Sequence, residues 1–171
     1  MKMSRFGAAI LAPTALLLLL SACQMASSPP FQDRYYEAKA AIPLKAGAVE
    51  ESSWQTFDVV IDYRYQASAD TIEVSGTAAL GRHYQDLYER LTKLEVYLFL
   101  LDDTTRVLRS KKIAQALASE TDTVLTFSET ITLPSGASHL AFGYEGRVRA
   151  SDPEPDSGGD WFYKLPLART P

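Results

Sequence analysis

Few residues in this chain can do chemistry, and they fall into four groups. The two imidazoles are His83 and His139, and the single thiol is Cys23. No Gly-x-Ser-x-Gly elbow is present, and neither histidine stands in a spacing that marks a general base, so the sequence assigns no catalytic residue. Two histidines and one cysteine also fall short of a zinc ligand set. The third group is the run 152–160, where Asp152, Glu154 and Asp156 alternate before two glycines and Asp160. Alternating carboxylates followed by glycine can wrap a hard cation such as calcium. Pro153 and Pro155 instead hold the first three apart, and no closing glutamate follows, so the run reads better as a solvated loop between strands. It assigns no metal site, and no cofactor is expected. The fourth group is aromatic: Trp54, Tyr63, Tyr65, Tyr97, Trp161 and Tyr163 lie on or beside predicted strands. Most are needed as core. Trp161 and Tyr163, next to the acidic run, are the candidates for contact with a partner.

Cys23 has a specific setting. Lys2 and Arg5 precede an apolar stretch from Phe6 to Leu20, too short and too abruptly ended to span a bilayer comfortably. Leu20-Ser21-Ala22-Cys23 then resembles the lipobox of bacterial lipoproteins. The resemblance implies a signal peptide over 1–22, cleavage before Cys23, and a diacylglyceryl thioether on its sulfur. Several acyl chains make a durable anchor where one gives reversible binding. Gln24, in place of the aspartate that retains such proteins at the inner membrane, is permissive for transfer to the outer membrane, with the periplasmic face as the default and display on the cell surface left open.

Loss of Lys2 and Arg5 would leave 15 basic against 21 acidic side chains, a net charge of −6. That acidity argues against a nucleic-acid partner. With no second cysteine there is no internal disulfide, so stability must come from a packed core.

Residues 23–53 read as the lipidated cysteine and a Ser/Pro-rich tether, with a short helix over Asp33–Ala41 and a loop over Lys45–Ser53. From Trp54 the period becomes two. Phe57, Val59, Ile61, Tyr63 and Tyr65 form one strand, and Ile72, Val74, Gly76, Ala78 and Leu80 a second. Tyr84, Leu87, Tyr88 and Leu91 recur at helical spacing and predict one short helix over His83–Leu91. Leu94–Leu101 is nearly continuous in apolar residues, as a central strand would be. Further strands are predicted over Arg106–Ile113, Val124–Leu133, His139–Ala150 and Trp161–Leu167, with Ala114–Thr121 as a connection.

The expectation is all-β: an antiparallel β-sandwich of about seven strands over 54–171, immunoglobulin-like, with one short helix. Leu133-Pro134-Ser135-Gly136-Ala137-Ser138-His139-Leu140-Ala141-Phe142 resembles the E–F corner of fibronectin type III-like sandwiches, with His139 in the place of the corner tyrosine. These features together predict a non-enzymatic outer-membrane lipoprotein, a binding or assembly module with a protein partner in the cell envelope. The alternative is capture of a glycan or calcium through the 152–163 region.

Overall fold

The computed structural model describes residues 30–150 and 159–168. The lipobox, Cys23, and the candidate cation ligands Asp152, Glu154 and Asp156 lie outside the described residues.

The described chain forms two antiparallel sheets face to face. One contains β2 (Val49–Gln55), β3 (Val59–Ala67), β4 (Thr71–Leu80) and β7 (Leu125–Thr132), in the order β2-β3-β4-β7. The other contains β1 (Ile42–Pro43), β5 (Arg90–Leu101), β6 (Val107–Glu120), β8 (His139–Arg149) and β9 (Asp160–Lys164). Here β6 pairs β5 and β5 pairs β8. The far edge of β8 is shared by β1 at residues 139–140 and β9 at residues 144–148. Setting β1 and β2 aside, the orders β3-β4-β7 and β6-β5-β8-β9 are those of an immunoglobulin-type sandwich with strands A-B-E facing C′-C-F-G. The segment that resembles an E–F corner lies between β7 and β8, the strands in the E and F positions. Gly136 supplies the left-handed backbone there (φ 83°), and His139 bonds Ser138 Oγ through Nδ1 at 2.9 Å.

Alternation dictates the core. Val59, Ile61, Tyr63, Tyr65 and Ala67 point inward from β3, opposite Leu94, Val96, Leu98 and Leu100 of β5 and Leu140, Phe142, Tyr144 and Val148 of β8. Each large aliphatic or aromatic side chain buried this way contributes about 1.5–3 kcal/mol.

The five-stranded sheet is also covered on part of its outer face. Phe99, Leu101, Val107 and Ala141 point away from the main core, yet all are fully buried. The N-terminal arm, from Phe31 to Ala41, lies over them. Phe31 sets its edge against Tyr97 and Phe99 at 5.4 and 5.5 Å, and Tyr36 packs on Phe99 at 5.7 Å. This explains the unbroken Leu98–Leu101 run: a strand dry on both faces has no solvent side to alternate with.

Four expectations need correction. The arm forms only a 3-10 turn at Ala38–Ala40, not a helix over Asp33–Ala41, because Tyr35 and Tyr36 are held extended by backbone bonds to Leu167 and Thr105. Lys45–Ser53 is not all loop: β2 begins at Val49, an edge strand whose one buried residue is Trp54, so no apolar alternation announces it. The helix, α1, is Arg82–Leu87; Leu91, the last residue of its apparent apolar stripe, belongs to β5 and is fully buried there. Ala114–Thr121 continues β6, where small Ala114 and Ala116 face the core. The strand count is therefore nine among the described residues rather than seven.

Candidate functional site

Two strongly exposed aromatics lie together at the β9 edge. β9 alternates about the buried Phe162, which packs on Tyr84 at 4.7 Å. Its neighbours Trp161 and Tyr163 face outward and stand 61% and 70% exposed. Both sequence-predicted contact residues thus share one face of one strand. The Arg147 guanidinium lies 5.1 Å from the Trp161 ring centroid and holds that ring in place.

Beyond β9 the chain turns along the arm. Tyr35 and Leu167 exchange two backbone hydrogen bonds, both 2.9 Å, and so close one end of a groove of about 530 Å³. Its walls are Tyr35 and Tyr36 on the arm and Tyr163, Leu165 and Leu167 on the C-terminal segment. The Lys164–Glu37 ion pair crosses its rim at 3.0 Å. Leu167 is 70% exposed, so the groove offers apolar surface with one charged pair beside it. Leu165 and Leu167 were not singled out from sequence, because only the docking of the arm makes them one wall of a groove.

Asp160, the one described candidate from the acidic run, is already engaged: the Tyr84 hydroxyl donates to its carboxylate at 3.0 Å. Nearby, the Tyr144 hydroxyl donates to Asp58 at 2.7 Å and lies 2.9 Å from Thr56 Oγ1. Burial first, then the adjacent carboxylates, push both phenols well above the ordinary tyrosine range. They are donors, and they fasten α1 and the β2–β3 turn to the end of the five-stranded sheet. Among the described residues no group of three or more His, Cys, Asp or Glu side chains is placed to hold a metal ion.

His83 stacks on the exposed Phe57 ring at 3.7 Å and touches Tyr84 at 4.0 Å, and its buried Nε2 has no hydrogen-bond partner. Burial of Nε2 leaves that nitrogen out of reach of a nucleophile. His139 lies 2.9 Å from the neighbouring Ser138 at the β7–β8 corner.

The outer face of the five-stranded sheet carries a charge lattice between the arm and the loop end. Lys93 bridges Glu145 at 2.7 Å and Glu95 at 2.9 Å, and Lys112 reaches Glu95 at 2.9 Å. Burial acts to raise the Glu95 carboxyl, but hydrogen bonds from Lys112, Tyr97 and Lys93 outweigh it and hold it down at about 2. Such a network fixes side-chain positions more than it adds stability.

No helix among the described residues is long and apolar enough to cross a membrane. The chain matches no protein-family model and no curated protein, so its function must be read from the site itself.

Proposed function

We propose that this chain is a lipid-anchored outer-membrane protein whose sandwich is a non-enzymatic binding and assembly module of the cell envelope. It engages a protein partner along the β9 edge. The observation that carries this reading is the convergence of exposed Trp161, Tyr163 and Leu167 on one strand edge and its adjoining groove. Exposed aromatics clustered beside an apolar cleft are the usual anchors of a protein contact. A free strand edge also accepts an extended segment by strand addition.

The anchor reading rests on Leu20-Ser21-Ala22-Cys23, whose cysteine would carry the thioether. The outer-membrane, periplasm-facing location rests on Gln24. A docked arm suits this role, because it joins the tether rigidly to the sandwich. Exposed aromatics beside an apolar groove are features of a binding surface, which favours binding over hydrolysis.

Two variants test the reading. Cys23→Ser should lose labelled palmitate and leave the membrane fraction; unchanged labelling would end the lipoprotein assignment. From membranes, the wild-type chain should co-purify a stoichiometric envelope protein, and Tyr163→Ala with Leu167→Ala should not. Equal recovery with that double variant would move the contact away from β9.

A further inference from the structure

The outer face beside Trp161 contains an arrangement that a purely structural sheet would avoid. Strand register places Arg147 opposite Lys93, and Arg149 opposite Arg90, in two successive rows of the central β5–β8 pair. Like charges directly opposite each other on neighbouring strands are destabilising. The chain as a whole is acidic, at −4, so this is a local concentration of positive charge against the overall trend. Lys93 is held between Glu145 and Glu95, Glu120 stands opposite Arg90, and Asp160 precedes Trp161 on β9, whereas among the described residues no ion pair holds Arg147 or Arg149. The row that holds Arg147 ends in Trp161, and the next holds Glu145 and ends in Tyr163. The buried Nε of Arg147 has no hydrogen-bond partner.

We infer that this face binds an acidic glycan, a saccharide chain bearing carboxylates. Pyranose rings present an apolar C–H face that stacks on Trp161 and Tyr163, two residues apart on one strand and therefore about 7 Å apart along it. Carboxylates on the sugars then meet Arg147, Arg149 and Arg90, while hydroxyls take the remaining donors and acceptors of Lys93 and Glu145. Arginine suits the task because its planar fork pairs a carboxylate through two bonds. The site goes beyond the proposed β9-edge contact and does not need it. Trp161 and Tyr163 border both, so the two are told apart by Arg147 and by the saccharide probes themselves.

The test is calorimetric titration of the full chain in detergent with hexagalacturonate, its methyl ester, and hexaglutamate. Hexagalacturonate should bind, weaken as salt rises, and shift the fluorescence of Trp161. The methyl ester, which keeps the rings and loses the charge, should bind at least tenfold more weakly, and so should hexaglutamate, which keeps the charge and loses the rings. Trp161→Ala and Arg147→Gln should each cost tenfold or more while the melting temperature holds. Equal binding of hexaglutamate and hexagalacturonate, unaffected by Trp161→Ala, would overturn the glycan assignment. Failure of the wild-type chain to bind hexagalacturonate would refute the site.

Discussion

Tyr36 is the sharpest test of the docked arm. Its ring lies 5% exposed against Phe99, and its hydroxyl donates to the main-chain carbonyl of Phe142. Residue 142 falls in the interval of β8 between the stretches paired by β1 and by β9. Tyr36→Phe keeps the ring and removes that donor, leaving a buried acceptor at a cost of about 1–3 kcal/mol. Tyr36→Ala also removes the ring and leaves a cavity over Phe99, for a loss of about 3–5 kcal/mol. At this chain length each kcal/mol is worth about 2–4 °C in Tm. The Phe variant should therefore melt about 2–12 °C below wild type and the Ala variant lower still. Calorimetry with urea unfolding as a second probe measures both. An Ala variant within 2 °C of wild type would refute the second core and, with it, the rigid link between tether and sandwich.

Phe142→Ala should destabilise by about 3–5 kcal/mol and Leu98→Ala by about 2–5, since both are fully buried and face β3; urea midpoints near wild type for both would mean the inward phase of β5 and β8 is wrong. Gly146→Ala places a Cβ 2.3 Å from the Phe162 ring and 2.9 Å from the Lys93 carbonyl, so it should cost about 1–3 kcal/mol and loosen β9. Trp161 fluorescence reports that loosening, and an unchanged spectrum and Tm would contradict the packing. Tyr36, Tyr97 and Tyr144 all titrate above their ordinary value of 10.0, chiefly through burial. Their contribution is complete below pH 10 and is lost as pH rises further, so Tm should fall in strong alkali. Glu95 and Asp102, both held at about 2, contribute above their unfolded values and lose that contribution as pH falls through about 2. Tm measured from pH 5 to 2 should drop, and drop less in Glu95→Gln.

The strands that alternate cleanly were legible. Val59–Ala67 and Thr71–Leu80 bury every second residue over much of their length, and the β7–β8 corner is marked by Pro134 and Gly136. The Leu98–Leu101 run was legible as central but not as dry on both faces, because nothing local says that Tyr36, over 60 residues upstream, covers it. β2 was invisible for the opposite reason: an edge strand with Glu50, Glu51, Ser52 and Ser53 in its middle has no apolar period. Trp161 and Tyr163 could be singled out by type and by their place beside an acidic loop. The arginine rows were legible in part, since Glu145, Arg147 and Arg149 alternate with Tyr144, Gly146 and Val148. Their pairing with Lys93 and Arg90 was not, because register between strands some 50 residues apart is fixed by tertiary packing.

The central claim is that an envelope protein docks on the β9 edge. Placing a photo-crosslinking phenylalanine derivative at Tyr163, and in a separate chain at Arg109 on the opposite edge strand β6, tests it most directly in intact cells. The account predicts one discrete cross-linked protein from position 163 and none from position 109. A product from both positions alike, or from 109 alone, would contradict it.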